Sequence, residues 1–351
     1  MKTIPIIPIK NDTATYEIIK SKIIDHSEIV VNFFDYCNMS CVFCPQDHDN
    51  KTGISKDEIL SKIPFVLNYI HSNEKTTTFL LHLMGGELFQ DDLIESGILD
   101  YYSEFIDQLE KNKKDKILNY NFSTNLVFSK TKEVLEFCKK HNLKLSVSYD
   151  CDGRFNKLQL QKFKQNIDIF LQHIKLISSV LTKPNIKKII EGDSYLDYLY
   201  SRFDCYWDHL LISDKKLEYL LPAESDLLKF YTHLIDHYPN SINVHQFLHN
   251  DTKTTKMSCT RGNSFTVLYN NSVPKGCSSS VLMKGNLENS KTSDLGTTKI
   301  IDNFLLENEC LSCEYYQRCN LSCFVHNDYK HLIKDVTGCV FKQVFKYADT
   351  K

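Results

Sequence analysis

The sequence predicts an α/β fold, a partial (β/α)6 barrel followed by a small cysteine-rich C-terminal domain. Two observations carry this. From about residue 28 to residue 240, short apolar runs alternate with amphipathic stretches, the beat of βα units that build a parallel sheet covered by helices. After residue 250 the texture changes to Cys, Ser, Asn and Thr with short strands such as FTVLYNN (265–271). Six βα units suit an open or partial barrel better than a closed eight-stranded one, and ligands of such sheets sit at the C-terminal ends of the strands. The 351 residues suffice for one large domain and a smaller one, or two medium ones. We expect an N-terminal extension at 1–27, the barrel at 28–245 and the cysteine-rich domain at 250–351.

In chain order, IVVNFF (29–34) reads as the first strand and KDEILSKIPFVLNYIHS (56–72) as a helix. TTTFLLHLM (76–84) is the second strand, and 91–113 has helical apolar spacing. ILNYNFSTN (117–125) is the third strand, KTKEVLEFCKKHN (130–142) a helix and LKLSVSYD (143–150) the fourth strand. A long helix is expected over 158–180. IKKII (186–190) and HLLIS (209–213) then read as faint fifth and sixth strands, with helical stretches at 195–203 and 223–238.

Composition excludes several classes of partner. Net charge is −2 with Lys spread among Asp and Glu, which gives no reason to expect an extended nucleic acid or an anionic membrane. The opening MKTIPIIPIK is neither a signal peptide nor a membrane span, so a cytoplasmic protein is expected. Thirteen cysteines are then conspicuous, because a reducing compartment disfavours structural disulfides. Three lie at Cys37, Cys41 and Cys44, and seven between Cys259 and Cys339. Clustered thiols of this kind serve metal ligation or catalysis.

FFDYCNMSCVFCPQ sets Cys37, Cys41 and Cys44 at CxxxCxxC spacing directly after the first strand. A four-iron cubane normally takes four thiolates, so three on one loop leave one iron open. A zinc knuckle completed by His48 is the alternative, although zinc loops generally pair a CxxC with a distant second pair. The spacing resembles the signature of the radical S-adenosylmethionine (SAM) superfamily, with Phe43 at its usual aromatic position. The resemblance implies a [4Fe-4S] cluster whose open iron chelates SAM, Phe43 against the adenine, and reductive cleavage to a 5′-deoxyadenosyl radical.

Other strand ends extend it. Gly85-Gly86-Glu87 resembles the family's GGE motif, with Leu88 where a Pro is usual, and implies backbone contacts to the SAM ammonium. Ser123 and Asn125 at the third strand's end, and Ser148 and Asp150 at the fourth, offer cofactor-binding groups, although small polar residues there also cap helices. Arg154, one of only four Arg against 38 Lys, is placed to clamp a carboxylate or to form a surface ion pair.

CLSCEYYQRCNLSC (310–323), preceded by Cys259 and Cys277 and followed by Cys339, resembles the SPASM auxiliary-cluster domain. That resemblance implies Cys310, Cys313, Cys319 and Cys339 on a distal [4Fe-4S] cluster, and Cys259, Cys277 and Cys323 on a proximal one without an evident fourth cysteine. The total is then three clusters, one catalytic and two auxiliary; a structural zinc domain is the other reading. Ser272 replaces a usual Gly, but Asn270 and Asn271 tolerate positive φ and can still make the hairpin turn.

Together the resemblances imply a radical SAM maturase that abstracts hydrogen from a peptide and forms a crosslink or other modification of a ribosomal natural product. Formylglycine-forming maturases carry an Asp base after the second SPASM cysteine, where this chain has Ser278. The short stretch before the first strand has no room for a winged-helix leader-recognition domain, so a separate recognition protein or a short precursor is expected. A reductase, flavodoxin or ferredoxin would supply electrons. The competing enzyme is an epimerase or dehydrogenase, which needs a hydrogen donor such as Cys151 or Cys205. Cys138 reads as core, His82 as an interior histidine. A non-enzymatic iron–sulfur or zinc scaffold is the reading from a different class.

Overall fold

The computed structural model describes residues 26–210, 215–248, 264–273, 305–316, 319 and 333–351. Its centre is a seven-stranded, wholly parallel sheet curled into a half-barrel. The strands are β1 (His26–Asn32), β2 (Thr78–Met84), β3 (Ile117–Thr124), β4 (Lys144–Ser148), β5 (Ile174–Leu181), β6 (Asp204–His209) and β7 (Ser264–Val267). Their spatial order is β6-β5-β4-β3-β2-β1-β7, so six neighbour along the sheet in chain order and β7 pairs beside β1. The strand the sequence assigns to the C-terminal domain thus continues the barrel sheet.

The connecting helices are α1 (Lys56–Leu60), α2 (Ile63–Ser72), α3 (Asp91–Glu95), α4 (Ile98–Asn112), α5 (Thr131–Lys140), α6 (Lys157–Ile169), α7 (Lys183–Glu191) and α8 (Ser194–Tyr200). After β6 come α9 (Glu224–His237) and α10 (Ile242–Leu248), and α11 (Val340–Ala348) closes the chain against α9. Along β2 the burial alternates: Phe79, Leu81 and Leu83 are sealed beneath the helices, while Thr78, Leu80, His82 and Met84 face the concave side. Ile29, Val31, Phe122, Leu145, Val147 and Ile177 join the same helix-side core. Burying each such side chain is worth about 1.5–3 kcal/mol. No helix among the described residues is long and apolar enough to cross a membrane.

Five expectations are corrected. The helix expected over 158–180 is α6 followed by strand β5. Its misreading has a physical cause: the pairing of β4 with β5 shifts register at Leu145/Ser146, so burial falls on Ile174 and then on Ile177, Ser179 and Leu181. That bulge breaks the two-residue alternation and leaves apolar spacing that mimics a helix. IKKII is the body of α7, which starts with a Thr182 cap whose side chain accepts the Asn185 amide, and with Pro184 in the first turn. Strand β6 is DCYWDH rather than HLLIS, of which only His209 and Leu210 lie within the described residues. The 56–72 and 91–113 helices are each interrupted, the second at Gly97, whose φ of 88° suits only glycine.

A buried lysine fastens β7 to the barrel. Lys62 has 0% of its surface exposed, and its Nζ donates to the carbonyls of Glu58 (3.2 Å) and Tyr269 (3.1 Å) and to Asn271 Oδ1 (3.2 Å). Asn271 holds the turn after β7 at φ 62°. Lys62→Met keeps the stem but orphans those acceptors, and should lower the unfolding free energy by about 1–3 kcal/mol, read from the urea midpoint. An unchanged midpoint would show that the tether carries no stability.

Candidate functional site

Beyond its last ladder pair, β1 stays zipped to the end of β2. Phe33 N–H donates to Met84 O (2.9 Å), Gly86 N–H to Phe34 O (2.9 Å) and Glu87 N–H to Tyr36 O (3.1 Å). A Cβ on Gly86 would lie 2.1 Å from Tyr36 O and 2.3 Å from Asp35 O, and one on Gly85 3.0 Å from Phe34 O. The two glycines therefore admit the chain's own backbone, the segment that delivers Cys37 to the rim. Gly85 O also accepts Gln46 Nε2 (3.1 Å), which fastens the far side of the cysteine loop.

Glu87, expected to contact the cofactor, sits between strand ends. It is 0% exposed, and its oxygens accept the Phe89 amide (2.9 Å), the Thr124 hydroxyl (2.8 Å) and the Asn125 amide (2.6 Å). It thereby bolts the end of β2 to the end of β3. Asn125 in turn donates to Asn38 Oδ1 (2.8 Å), and Asn38 donates to Val127 O (2.7 Å), so the cysteine loop is tied to β3 as well. Burial pushes the Glu87 carboxyl up to about 7.

On this mounting sit the three thiols, Cys41 buried and Cys37 and Cys44 partly so. Burial raises Cys37 to about 12, and Glu87, Cys41 and Cys44 add to it. Burial also raises Cys41 and Cys44, and Arg154 counteracts this at both. The Arg154 guanidinium stands 3.8 Å from Cys41 Sγ and 5.2 Å from the centre of the Phe43 ring. Its Nε donates to buried Asp150 at 2.5 Å, and Asp150 also accepts the Val180 amide and the Asn185 side chain, both at 2.8 Å. Asp150 is thus the anchor of Arg154 and of the β4 and β5 ends. Phe43 packs with Met39, Cys41, Leu210, Leu220 and Leu221 in an apolar cluster on the rim. Ser123 and Ser148 lie half-buried on the inward-facing positions of β3 and β4.

Among the described residues, no three His, Cys, Asp or Glu side chains stand in a ready-made cage for a single metal ion. The donor set nonetheless fits an iron–sulfur cluster: three thiols on one loop, within electrostatic reach of one another, with an arginine to balance their negative charge. The four cysteines assigned to a distal cluster are also brought together. Cys310, Cys313, Cys319 and Cys339 line one small cavity with Tyr315, Tyr316 and Phe341. Cys259, Cys277 and Cys323 lie outside the described residues.

The expected hydrogen donors fare differently. Cys205 is on β6 itself, 2% exposed, and shares with Trp207 the face turned to the helices, so it cannot reach a ligand on the concave side. Cys151 packs, partly buried, against the helix-side core rather than with the cysteine loop, and burial together with Asp193 and Asp150 holds its thiol up. Cys138 is sealed in the core. His82 faces the concave side, where Asn121 Nδ2 meets both His82 Nδ1 (3.1 Å) and Ser146 Oγ (2.7 Å). Sequence reasoning missed Asn38, Gln46 and Asn185, the amides that hold the site together, since single amides in loops and first turns carry no pattern.

The half-barrel fold is shared with solved structures at low sequence identity. The chain superimposes on anSMEcpe with bound AdoMet at a TM-score of 0.67 and 15% identity, over 93% of this chain and 96% of that one. With bound AdoMet and the Cp18Cys peptide, the same protein gives 0.65 at 16% identity, with 93% and 96% covered. Streptococcus suis SuiB bound to its precursor peptide SuiA gives 0.52 at 15% identity, with 92% and 78% covered. No family model matches the sequence, and no curated protein is significantly similar to it.

Glu87 makes a test of the mounting. The folded state holds its proton more tightly than the unfolded chain, so its contribution to stability is full below about pH 4.5 and is lost as pH rises through about 7. Glu87→Gln should lose, over that window, a decline of up to about 3 kcal/mol seen in the wild type. Parallel stability–pH curves for the two proteins would contradict the assignment.

Proposed function

We propose that this chain is a radical SAM enzyme that modifies a peptide, with one catalytic and two auxiliary [4Fe-4S] clusters. The observation that carries the reading is the loop of Cys37, Cys41 and Cys44, fixed to the C-terminal rim of a parallel half-barrel with Arg154 against it. When bound, cluster and SAM together supply a hydrogen-abstracting 5′-deoxyadenosyl radical. The chain's residues do the rest. Glu87, Gly86 and Asn125 hold the loop in place, Phe43 gives the adenine an apolar wall, and Arg154 offers its remaining donors to the SAM carboxylate. Ser123 and Ser148 add polar contacts from the inward side of the sheet.

A peptide is the preferred substrate because the structural likeness extends to two proteins seen with peptides, the Cp18Cys complex and the SuiA complex. The distal thiols gathered round one cavity support the auxiliary role of the 250–351 domain. An external electron donor and a separate leader-recognition protein complete the scheme, set in the cytoplasm. The epimerase reading loses one of its two hydrogen donors with Cys205 in the helix-side core.

Anaerobically reconstituted protein should bind about 11–12 iron atoms. After reduction it should convert SAM to 5′-deoxyadenosine, and a modified peptide should be two hydrogens lighter per crosslink. Cys41→Ala should abolish SAM cleavage, and Arg154→Lys should slow it about 10–100-fold, as loss of a supporting contact to a metal site does. Normal cleavage by Cys41→Ala would overturn the reading.

A further inference from the structure

Strand β6 turns Asp204, Tyr206 and Asp208 to the concave side, since Cys205 and Trp207 occupy the helix side. Asp208 sits opposite Val180 of β5, and Leu210 follows just past the end of the strand. Both neighbours belong to the rim cluster: Leu210 is a core member with Cys41 and Phe43, and Val180 packs against it. At about 3.3 Å per residue, Asp208 lies about 7 Å along the chain from Leu210, which packs with Cys41 and Phe43. Its side chain is exposed to the open interior while protein surrounds it.

We propose that Asp208 is the proton acceptor of the pocket, the group that takes the proton a bound peptide loses when its new bond forms. This rests on the peptide-modifying reading. In that step a substrate C–H and an X–H become C–X. One hydrogen atom leaves with the deoxyadenosyl group, one electron passes to an oxidised auxiliary iron–sulfur centre, and the remaining proton goes to the Asp208 carboxylate and on to water.

The environment suits a base. Although its side chain is exposed to the interior, the surrounding protein desolvates the Asp208 carboxyl and pushes it up to about 6, against a Tyr206 hydrogen bond that lowers it, so the ionised form prevails at neutral pH with more affinity for a proton than an ordinary aspartate. The titratable groups nearby are Tyr206 and Asp204 on its own strand; β5 presents Leu176, Ser178 and Val180.

The test is carboxyl labelling of the oxidised holoenzyme with a water-soluble carbodiimide and glycine ethyl ester, mapped by peptide mass spectrometry. Asp208 should label with a midpoint near pH 6 and lose its label when S-adenosylhomocysteine is bound, whereas Asp204, two layers from the rim, should keep its label. Asp208→Asn assigns the signal. A midpoint near the ordinary aspartate value of about 4, or full labelling with the ligand bound, overturns the proposal. Equilibrium dialysis on the same sample separates the two failures: if the ligand does not bind, the SAM reading fails, and if it binds without protecting, only the role of Asp208 fails.

Discussion

Everything at the rim depends on how the chain leaves β1. Because Gly86 has no side chain, the backbone of Phe34 to Tyr36 can lie against the end of β2 and form hydrogen bonds that prolong the sheet past its last strand residue. A methyl group there would stand about 2 Å from two carbonyl oxygens, a clash no local adjustment relieves. The cysteine loop is consequently built on an extension of the sheet and not on a free loop. The same economy recurs at Glu87 and Asp150, buried carboxylates that each collect donors from neighbouring strand ends and turn them into one continuous rim.

Burying acids without full ionic compensation is costly, and the rim shows how the cost is met. Asp150 has Arg154 and two amide-type donors, Glu87 has three donors and a smaller share of Arg154, and burial raises both carboxyls. Three thiols that burial holds protonated await a positively charged partner, and Arg154 already leans on Cys41. Metal ligation would release those protons, which couples loading of the site to pH.

Much of this was legible in the sequence, for reasons that can be named. The cysteine spacings are covalent facts that no packing can alter, and the four distal thiols do converge on one cavity. Strands β2 and β4 announced themselves by clean alternation under a helix layer. Strand β5 was hidden because its bulge against β4 destroys that alternation, and IKKII (186–190) reads as a short apolar run when separated from the Thr182 cap and Pro184 that start its helix. With the sixth strand expected at HLLIS, Cys205 falls before it, whereas β6 begins five residues earlier and carries Cys205 on its helix side. Glu87 was recognised by its motif, but its partners Thr124 and Asn125 come from another strand, and only the fold brings them together. Asp208 had no motif at all; it became visible once the register of β6 was known.

The central claim is that Cys37, Cys41 and Cys44 hold a cluster with one iron open to SAM. Electron paramagnetic resonance of the reduced, anaerobically reconstituted protein tests it most directly. The account predicts a [4Fe-4S] signal whose shape changes when SAM is added, with that SAM-responsive component missing from Cys41→Ala. A spectrum that SAM leaves untouched, or a SAM-responsive signal that survives Cys41→Ala, would contradict it.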